Sequence, residues 1–81
     1  MAEFQLFSTL GCHLCEDAKA ILDPLLADVG ANYVEEEISE NDQWMEAYAI
    51  RIPVVRSTRT GEELGWPFDT DVCLNWIKSQ L

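Results

Sequence analysis

The chain of 81 residues is 48% hydrophobic and 25% charged, a composition typical of one folded domain over residues 1–81 rather than of a disordered segment. Its 15 acidic and 5 basic side chains give a formal net charge of −10, and no cluster of Lys and Arg is present to bind phosphate groups. Nucleic acid and membrane surfaces are therefore not expected partners, and no apolar run approaches the roughly 20 residues of a membrane-spanning helix.

The first predicted elements are a strand and a long helix. The segment EFQLFS alternates weakly between apolar and polar residues, which predicts a strand over residues 3–8. Residues 13–29 predict a helix, because apolar residues recur there at helical spacing: Leu14, Ala18, Ile21, Leu22, Leu25 and Val29. Pro24 would bend this helix or make it restart, and Gly30 would end it.

The remaining segments predict three more strands and two more helices. NYVEEEI predicts the second strand, and SENDQWMEAYAI predicts a short helix capped by Ser39 or Asp42. PVVRS and EELGW predict two strands joined by the turn TRTG, and DTDVCLNWIKSQL predicts a last helix capped by Asp69 or Thr70. In this β-α-β-α-β-β-α order, a helical crossover makes the first two strands parallel and a short turn makes the last two antiparallel. We therefore expect an α/β fold with a four-stranded mixed sheet.

Cys12 and Cys15 form a CxxC motif where the first strand passes into the first helix. The N–H groups and the positive dipole end of a helix N-terminus would stabilise a thiolate at Cys12, and Cys15 lies one turn later, within disulfide reach. One thiolate can then attack a substrate disulfide, and the second can resolve the mixed disulfide. The opening residues lack the features of a signal peptide, so we expect a cytoplasmic protein, in which a CxxC pair is reactive or metal-binding rather than structural.

A metal site is the main alternative for the cysteine pair. Cys12, His13 and Cys15 could ligate zinc, but structural zinc sites use four ligands, and the sequence offers only one further cysteine and no other histidine. That further cysteine, Cys73, lies on the predicted buried stripe of the last helix, which also contains Val72, Trp76 and Ile77. We therefore interpret Cys73 as a core residue.

His13 follows the predicted nucleophile directly. An imidazolium there would favour the thiolate, and an imidazole could pass a proton. The alternative is an ordinary exposed residue at the tip of the loop. Glu16 and Asp17 follow within the next turn, and their charges disfavour a thiolate at Cys12. The sequence therefore leaves a catalytic role for His13 open.

Three segments together resemble a known family: GCHLC after a strand, RIPV at residues 51–54, and a last helix entered through WPFD. They resemble the glutaredoxin-like proteins of the thioredoxin superfamily, most closely the small bacterial group, over essentially the whole chain. The resemblance implies a thioredoxin-like fold and a monomeric thiol–disulfide oxidoreductase. It makes Cys12 the exposed nucleophile and Cys15 the resolving cysteine, with a protein disulfide or a small thiol as substrate. It implies an external thiol reductant and no cofactor or metal.

The resemblance also assigns substrate-binding positions. The family's proline before the third strand is cis and faces the cysteine pair, which corresponds to Pro53 here. Ile52 would offer its backbone groups to an extended substrate. Apart from the resemblance, His13 is a further candidate for substrate contact, because it follows Cys12 directly. Trp66 would cover the site or pack on the edge of the sheet.

Glutathione is the usual co-substrate of glutaredoxins, but this chain departs from their pattern. His-Leu replaces Pro-Tyr between the cysteines, the preceding segment STLG is uncharged, and Gly65–Asp69 replaces a Gly-Gly followed by an acidic residue. Arg51 is the side chain left to meet an anion. Glutathione use is therefore open, as are two other functions: a non-enzymatic redox-sensing or adaptor module, and a metal or iron–sulfur carrier.

Overall fold

The strands and helices follow the predicted order, with one added turn of 3₁₀ helix. A computed structural model describes residues 2–81, and within that range no helix is long and apolar enough to cross a membrane. The elements are β1 Phe4–Ser8, α1 His13–Val29, β2 Tyr33–Glu37, a 3₁₀ turn Ile38–Glu40, α2 Asp42–Tyr48, β3 Val54–Ser57, β4 Glu63–Gly65 and α3 Thr70–Gln80. The sheet has the order β2-β1-β3-β4, in which β1 is parallel to β2 and antiparallel to β3, and β3 is antiparallel to β4. The predicted α/β fold with a four-stranded mixed sheet is confirmed.

The register of the strands brings several chain segments to one end of the sheet. Ser8, the last residue of β1, pairs with Glu37, the last residue of β2. Phe7 pairs with Val54, the first residue of β3, so Pro53 precedes β3 at this same end. The chain also leaves β1 here for the cysteine pair. We call this the cysteine end of the sheet.

The central strand β1 is buried on both of its faces. Phe4 and Leu6 belong to one core cluster, with residues of α1 and α3. Phe7 points to the opposite face, where it stacks on Tyr48 with ring centroids 4.1 Å apart and meets Trp44 edge-on at 5.5 Å. Because a strand covered on both faces needs apolar residues on both, the alternation of EFQLFS is weak.

The long helix α1 lies on the sheet through one face. It continues through Pro24 without restarting, and Gly30 ends it with a φ of 70°, as predicted. Its buried residues are Cys15, Ala18, Leu22, Leu25 and Leu26. The prediction that Leu14 belongs to this face is wrong. Its side chain is 48% exposed, since it lies at the margin of the buried face beside the loop that carries Cys12.

Side-chain caps define where the two shorter helices begin. Asn41 caps α2, and its Oδ1 accepts two N–H groups of the first turn at 2.9 and 3.1 Å. The prediction of Ser39 or Asp42 is wrong, because Ser39 lies within the 3₁₀ turn and Asp42 is the first helical residue. At α3, the predicted cap Asp69 is confirmed, since its Oδ1 accepts the N–H of Val72 at 2.8 Å.

Candidate active site

A tight turn carries the chain from β1 to the cysteine pair. The N–H of Cys12 donates to the carbonyl oxygen of Thr9 at 3.2 Å, which closes a four-residue turn. Gly11, the third residue of the turn, has a φ of 81°, a left-handed conformation that costs glycine less than other residues. The turn therefore places Cys12 directly before the first residue of α1.

The two cysteines lie on one side of the first turn of α1. Their Cα atoms are 5.2 Å apart, and the sulfurs are joined as a disulfide. Cys12 is the N-cap of α1, and its Sγ accepts the backbone N–H of Cys15 at 3.1 Å. Cys12 is partly exposed, whereas Cys15 is 1% exposed. An incoming thiol or disulfide therefore has access to Cys12 before Cys15.

The loop before β3 approaches the cysteine end of the sheet. The peptide bond between Ile52 and Pro53 is cis, as the resemblance implies, and Pro53 is buried. The carbonyl oxygen of Pro53 accepts the N–H of Trp66 at 3.1 Å, so these two predicted site residues are in contact. The indole of Trp66 packs edge-on against Phe68, with ring centroids 5.0 Å apart, and against the core cluster of α1 and α3. Trp66 therefore packs on the face of the sheet that α1 and α3 cover.

A groove of about 640 Å³ opens beside Cys12, on the side of β2. Part of its wall is His13, which is exposed as the first residue of α1. Three carboxylates also line it: Glu16, Glu35 and Glu37. Lys19 lines it too, but its Nζ is bound by Glu16 at 2.8 Å and by Glu35 at 2.9 Å, hydrogen bonds that raise the pKa of the lysine. The groove that reaches Cys12 is therefore negatively charged.

A model of a known protein family matches most of the chain. The family model described as glutaredoxin-like domain (DUF836) matches residues 3–78. The chain belongs to this glutaredoxin-like family. The family that its sequence resembles is thereby confirmed. No protein with a curated description matches the chain significantly.

Solved structures share the fold of this glutaredoxin-like chain over nearly its full length. The crystal structure of target protein XcR50 from X. campestris is 30% identical, with a TM-score of 0.82 over 94% of this chain and 96% of that one. Protein Ne2328 from Nitrosomonas europaea is 27% identical, with a TM-score of 0.78 over 91% and 88% of the two chains. Thioredoxin 1 from Thermosipho africanus is 12% identical, with a TM-score of 0.70 over 94% and 90%, and shows likeness of fold alone. The thioredoxin-like fold is confirmed.

Arg51, the side chain left to meet an anion in the glutaredoxin-like site, is engaged elsewhere. Its Nη2 binds Glu63 Oε1 at 2.7 Å, and its Nη1 donates to the carbonyl oxygen of Ala47 at 3.3 Å. Its guanidinium also lies 5.3 Å from the ring centroid of Tyr48. The positive charge next to the loop of Pro53 is therefore largely compensated within the protein.

Cys73 is a core residue in this glutaredoxin-like chain, as predicted. Its side chain is fully buried on α3, and burial raises the pKa of its thiol from the ordinary value of 9.0 to about 11. The predicted stripe is wrong at Val72, which is 48% exposed because it lies beside the buried face formed by Cys73 and Ile77. Cys73 is therefore not placed to react with a substrate.

Burial of the Cys73 thiol predicts an alkaline effect on stability. The neutral thiol is favoured in the folded state, so its contribution is fully present below pH 9 and is lost as the pH rises through about 11. Replacing Cys73 with alanine should make the free energy of unfolding less dependent on pH in this window, by roughly 3 kcal/mol at the alkaline limit. Urea unfolding of the disulfide form at several pH values measures this. Equal pH slopes for both proteins would contradict it.

One side chain at the cysteine end was not singled out by the sequence. Glu37 Oε1 accepts the N–H of Leu10 at 2.8 Å, and its Oε2 accepts the hydroxyl of Thr9 at 2.8 Å and the N–H of Ser39 at 3.0 Å. These hydrogen bonds lower the pKa of the Glu37 carboxyl to about 2, and the bond from the N–H of Ser39 has the largest effect. The parallel register of β1 and β2 places Glu37 beside the turn that carries Leu10 and Thr9. The sequence EEE at residues 35–37 does not indicate which of the three glutamates binds this turn.

Proposed function

We propose that the protein is a thiol–disulfide oxidoreductase that cycles between a Cys12–Cys15 dithiol and the disulfide. The observation that carries this proposal is the position of Cys12. It is the partly exposed N-cap of α1, and its sulfur accepts the N–H of Cys15. A thiolate formed at this sulfur is stabilised by the N–H group and by the helix dipole, while remaining open to attack a substrate.

The reaction proceeds in two exchange steps. The Cys12 thiolate attacks one sulfur of a substrate disulfide, forms a mixed disulfide and releases the other sulfur as a thiolate. The Cys15 thiolate then attacks the Cys12 sulfur, which closes the protein disulfide and releases the second substrate thiolate. The protons lost by the two cysteines end on the two released thiols, and two electrons pass from protein to substrate. An external thiol reductant reverses both steps, and no bound cofactor is needed.

The substrate is proposed to lie across the loop before β3. The N–H of Ile52 already donates to the carbonyl oxygen of Tyr48 at 3.0 Å, so the proposal assigns contact with an extended substrate to the Ile52 carbonyl group. Pro53 would form the adjoining surface, with Trp66 held against it. His13 is exposed beside Cys12, where it would contact the part of the substrate that enters from the groove.

Replacing Cys15 with serine tests the order of the two cysteines. This variant should release one thiol from a small disulfide and keep the other half bound to Cys12, because the resolving thiolate is missing. Mass spectrometry of the intact protein and of its peptides measures the adduct and its position. The wild-type protein should release both thiols and retain no adduct.

Three outcomes would contradict the proposed function or favour another one. An adduct on Cys73, or none at all, would contradict the proposed role of Cys12. A pair that forms its disulfide once but is not turned over by any thiol donor would favour a sensing or adaptor module. Stoichiometric metal or a coloured cluster in freshly purified protein would favour a metal or iron–sulfur carrier.

A further inference from the structure

We propose that Glu37 is a positioning residue: by binding the turn at residues 9–12, it holds Cys12 at the N-cap of α1, where its thiolate is stabilised. Glu37 ends β2 and pairs with Ser8, which ends β1, so its carboxylate lies beside the turn that leaves β1. One oxygen accepts the N–H of Leu10 and the other accepts the hydroxyl of Thr9, both at 2.8 Å. The first two residues of the turn are therefore tied to the end of the neighbouring strand.

Packing contributes little to the order of this turn. Leu10 is 95% exposed, so its side chain is not anchored in the core, and the exposed Gly11 has no side chain to anchor. The bond between the Cys12 N–H and the Thr9 carbonyl closes the turn upon itself but does not connect it to the sheet. Hydrogen bonds to a charged acceptor are stronger than neutral ones. The Glu37 carboxylate thus attaches the turn to the end of β2, an attachment that Leu10 and Gly11 do not make through packing.

The position of Cys12 depends on this attachment. Cys12 is both the last residue of the turn and the N-cap of α1, where its Sγ accepts the N–H of Cys15 at 3.1 Å. A looser turn would let the sulfur leave that N–H group, and the thiolate would lose its stabilisation. The low pKa of Glu37, about 2, means that the carboxylate stays charged wherever a thiol is ionised.

The positioning effect and the charge of Glu37 act in opposite directions. Glu37 and Cys12 line the same groove, so the negative charge of Glu37 by itself disfavours a thiolate at Cys12. The other charged or titratable groups facing the groove are Glu16, Lys19 and His13 from α1 and Glu35 from β2. Removing the charge alone would make Cys12 more reactive, whereas removing the attachment makes it less reactive. The sign of the change therefore identifies the cause.

Alkylation of Cys12 by iodoacetamide, a neutral reagent, tests the proposal. The reduced Glu37→Gln variant should be alkylated about fivefold more slowly at neutral pH, and the midpoint of its pH profile should move upward. Thr9→Val, which removes the hydroxyl donor, should change the profile in the same direction. Thr9→Ser keeps the hydroxyl and should restore the wild-type profile. Glu40→Gln removes the same charge from an exposed residue of the nearby 3₁₀ turn and should not slow the reaction.

Faster or unchanged alkylation of Glu37→Gln, with Thr9→Val like wild type, would overturn the proposal. If Glu37→Gln does not fold, the pair Thr9→Val and Thr9→Ser still decides the matter, because both variants keep the carboxylate. A purely structural role would lower the unfolding midpoint without moving the pH profile of Cys12. The inference rests on the proposed reactivity of Cys12, but alkylation needs no turnover. A protein that fails to reduce disulfides would therefore contradict the proposed function and leave this test intact.

Discussion

Replacing Cys12 with serine is expected to slow disulfide reduction by at least about a thousandfold, because the attacking thiolate is lost and a hydroxyl is not ionised at neutral pH. Cys15 remains in this variant, but it is 1% exposed and cannot meet a substrate without opening of the helix. The measurement is a single turnover of the fully reduced protein with the neutral disulfide of mercaptoethanol. Because the protein is fully reduced before the reaction starts, the measured rate does not depend on the physiological reductant.

Two further variants serve as controls for this experiment. Cys73→Ala should react at the wild-type rate, because Cys73 is buried on α3 and outside the proposed pathway. Cys15→Ser should keep the first, bimolecular step and lose the second. A rate in Cys12→Ser within tenfold of the wild type would assign the attack to another thiol, and the double variant Cys12→Ser/Cys73→Ala would show which one.

The position of the cysteine pair in the fold can be predicted from the sequence, because it depends on which elements precede and follow the pair along the chain. A CxxC motif between an apolar strand and an amphipathic helix places Cys12 at a helix N-terminus whatever the remaining packing is. The connections between elements then limit the pairing of the strands, which brings Pro53 to the same end of the sheet. The predicted buried state of Cys73 also follows from its helical spacing.

The rest depends on contacts between segments far apart in the sequence. Leu14 and Val72 lie at positions that the helical spacing of apolar residues predicts to be buried. The orientation of α1 and α3 on the sheet instead puts each residue at the margin of the buried face of its helix. Arg51 is paired with Glu63 twelve residues later, which no pattern in RIPV indicates. The contact of Glu37 with the turn of Cys12 spans 27 and 28 residues, and it depends on a register that the sequence leaves open.

The charge around Cys12 is expected to select against anionic reactants, glutathione included. Glu16, Glu35 and Glu37 line the groove at Cys12, and the cation Arg51 is already bound to Glu63. Exposed charges act over about 8 Å at physiological salt, so an anion entering this groove is repelled. At equal thiol concentration, a reductase-coupled dithiol donor should therefore reduce the Cys12–Cys15 disulfide faster than glutathione. The glutathione rate should rise when salt is added, because screening weakens the repulsion.

A pair of small disulfides isolates this electrostatic effect from intrinsic reactivity. Cystamine is cationic and dithiodipropionate is anionic, and each rate is divided by the rate of the same disulfide with dithiothreitol to remove the leaving-group difference. The normalised ratio should favour cystamine by about tenfold at low salt and approach unity at high salt. Glu16→Gln should reduce the ratio, whereas Asp28→Asn, which removes the same charge from an exposed residue near the far end of α1, should not. A glutathione reaction that is fast and slows as salt is added would instead require an attractive anion site near Cys12, and with it an ordinary glutaredoxin activity.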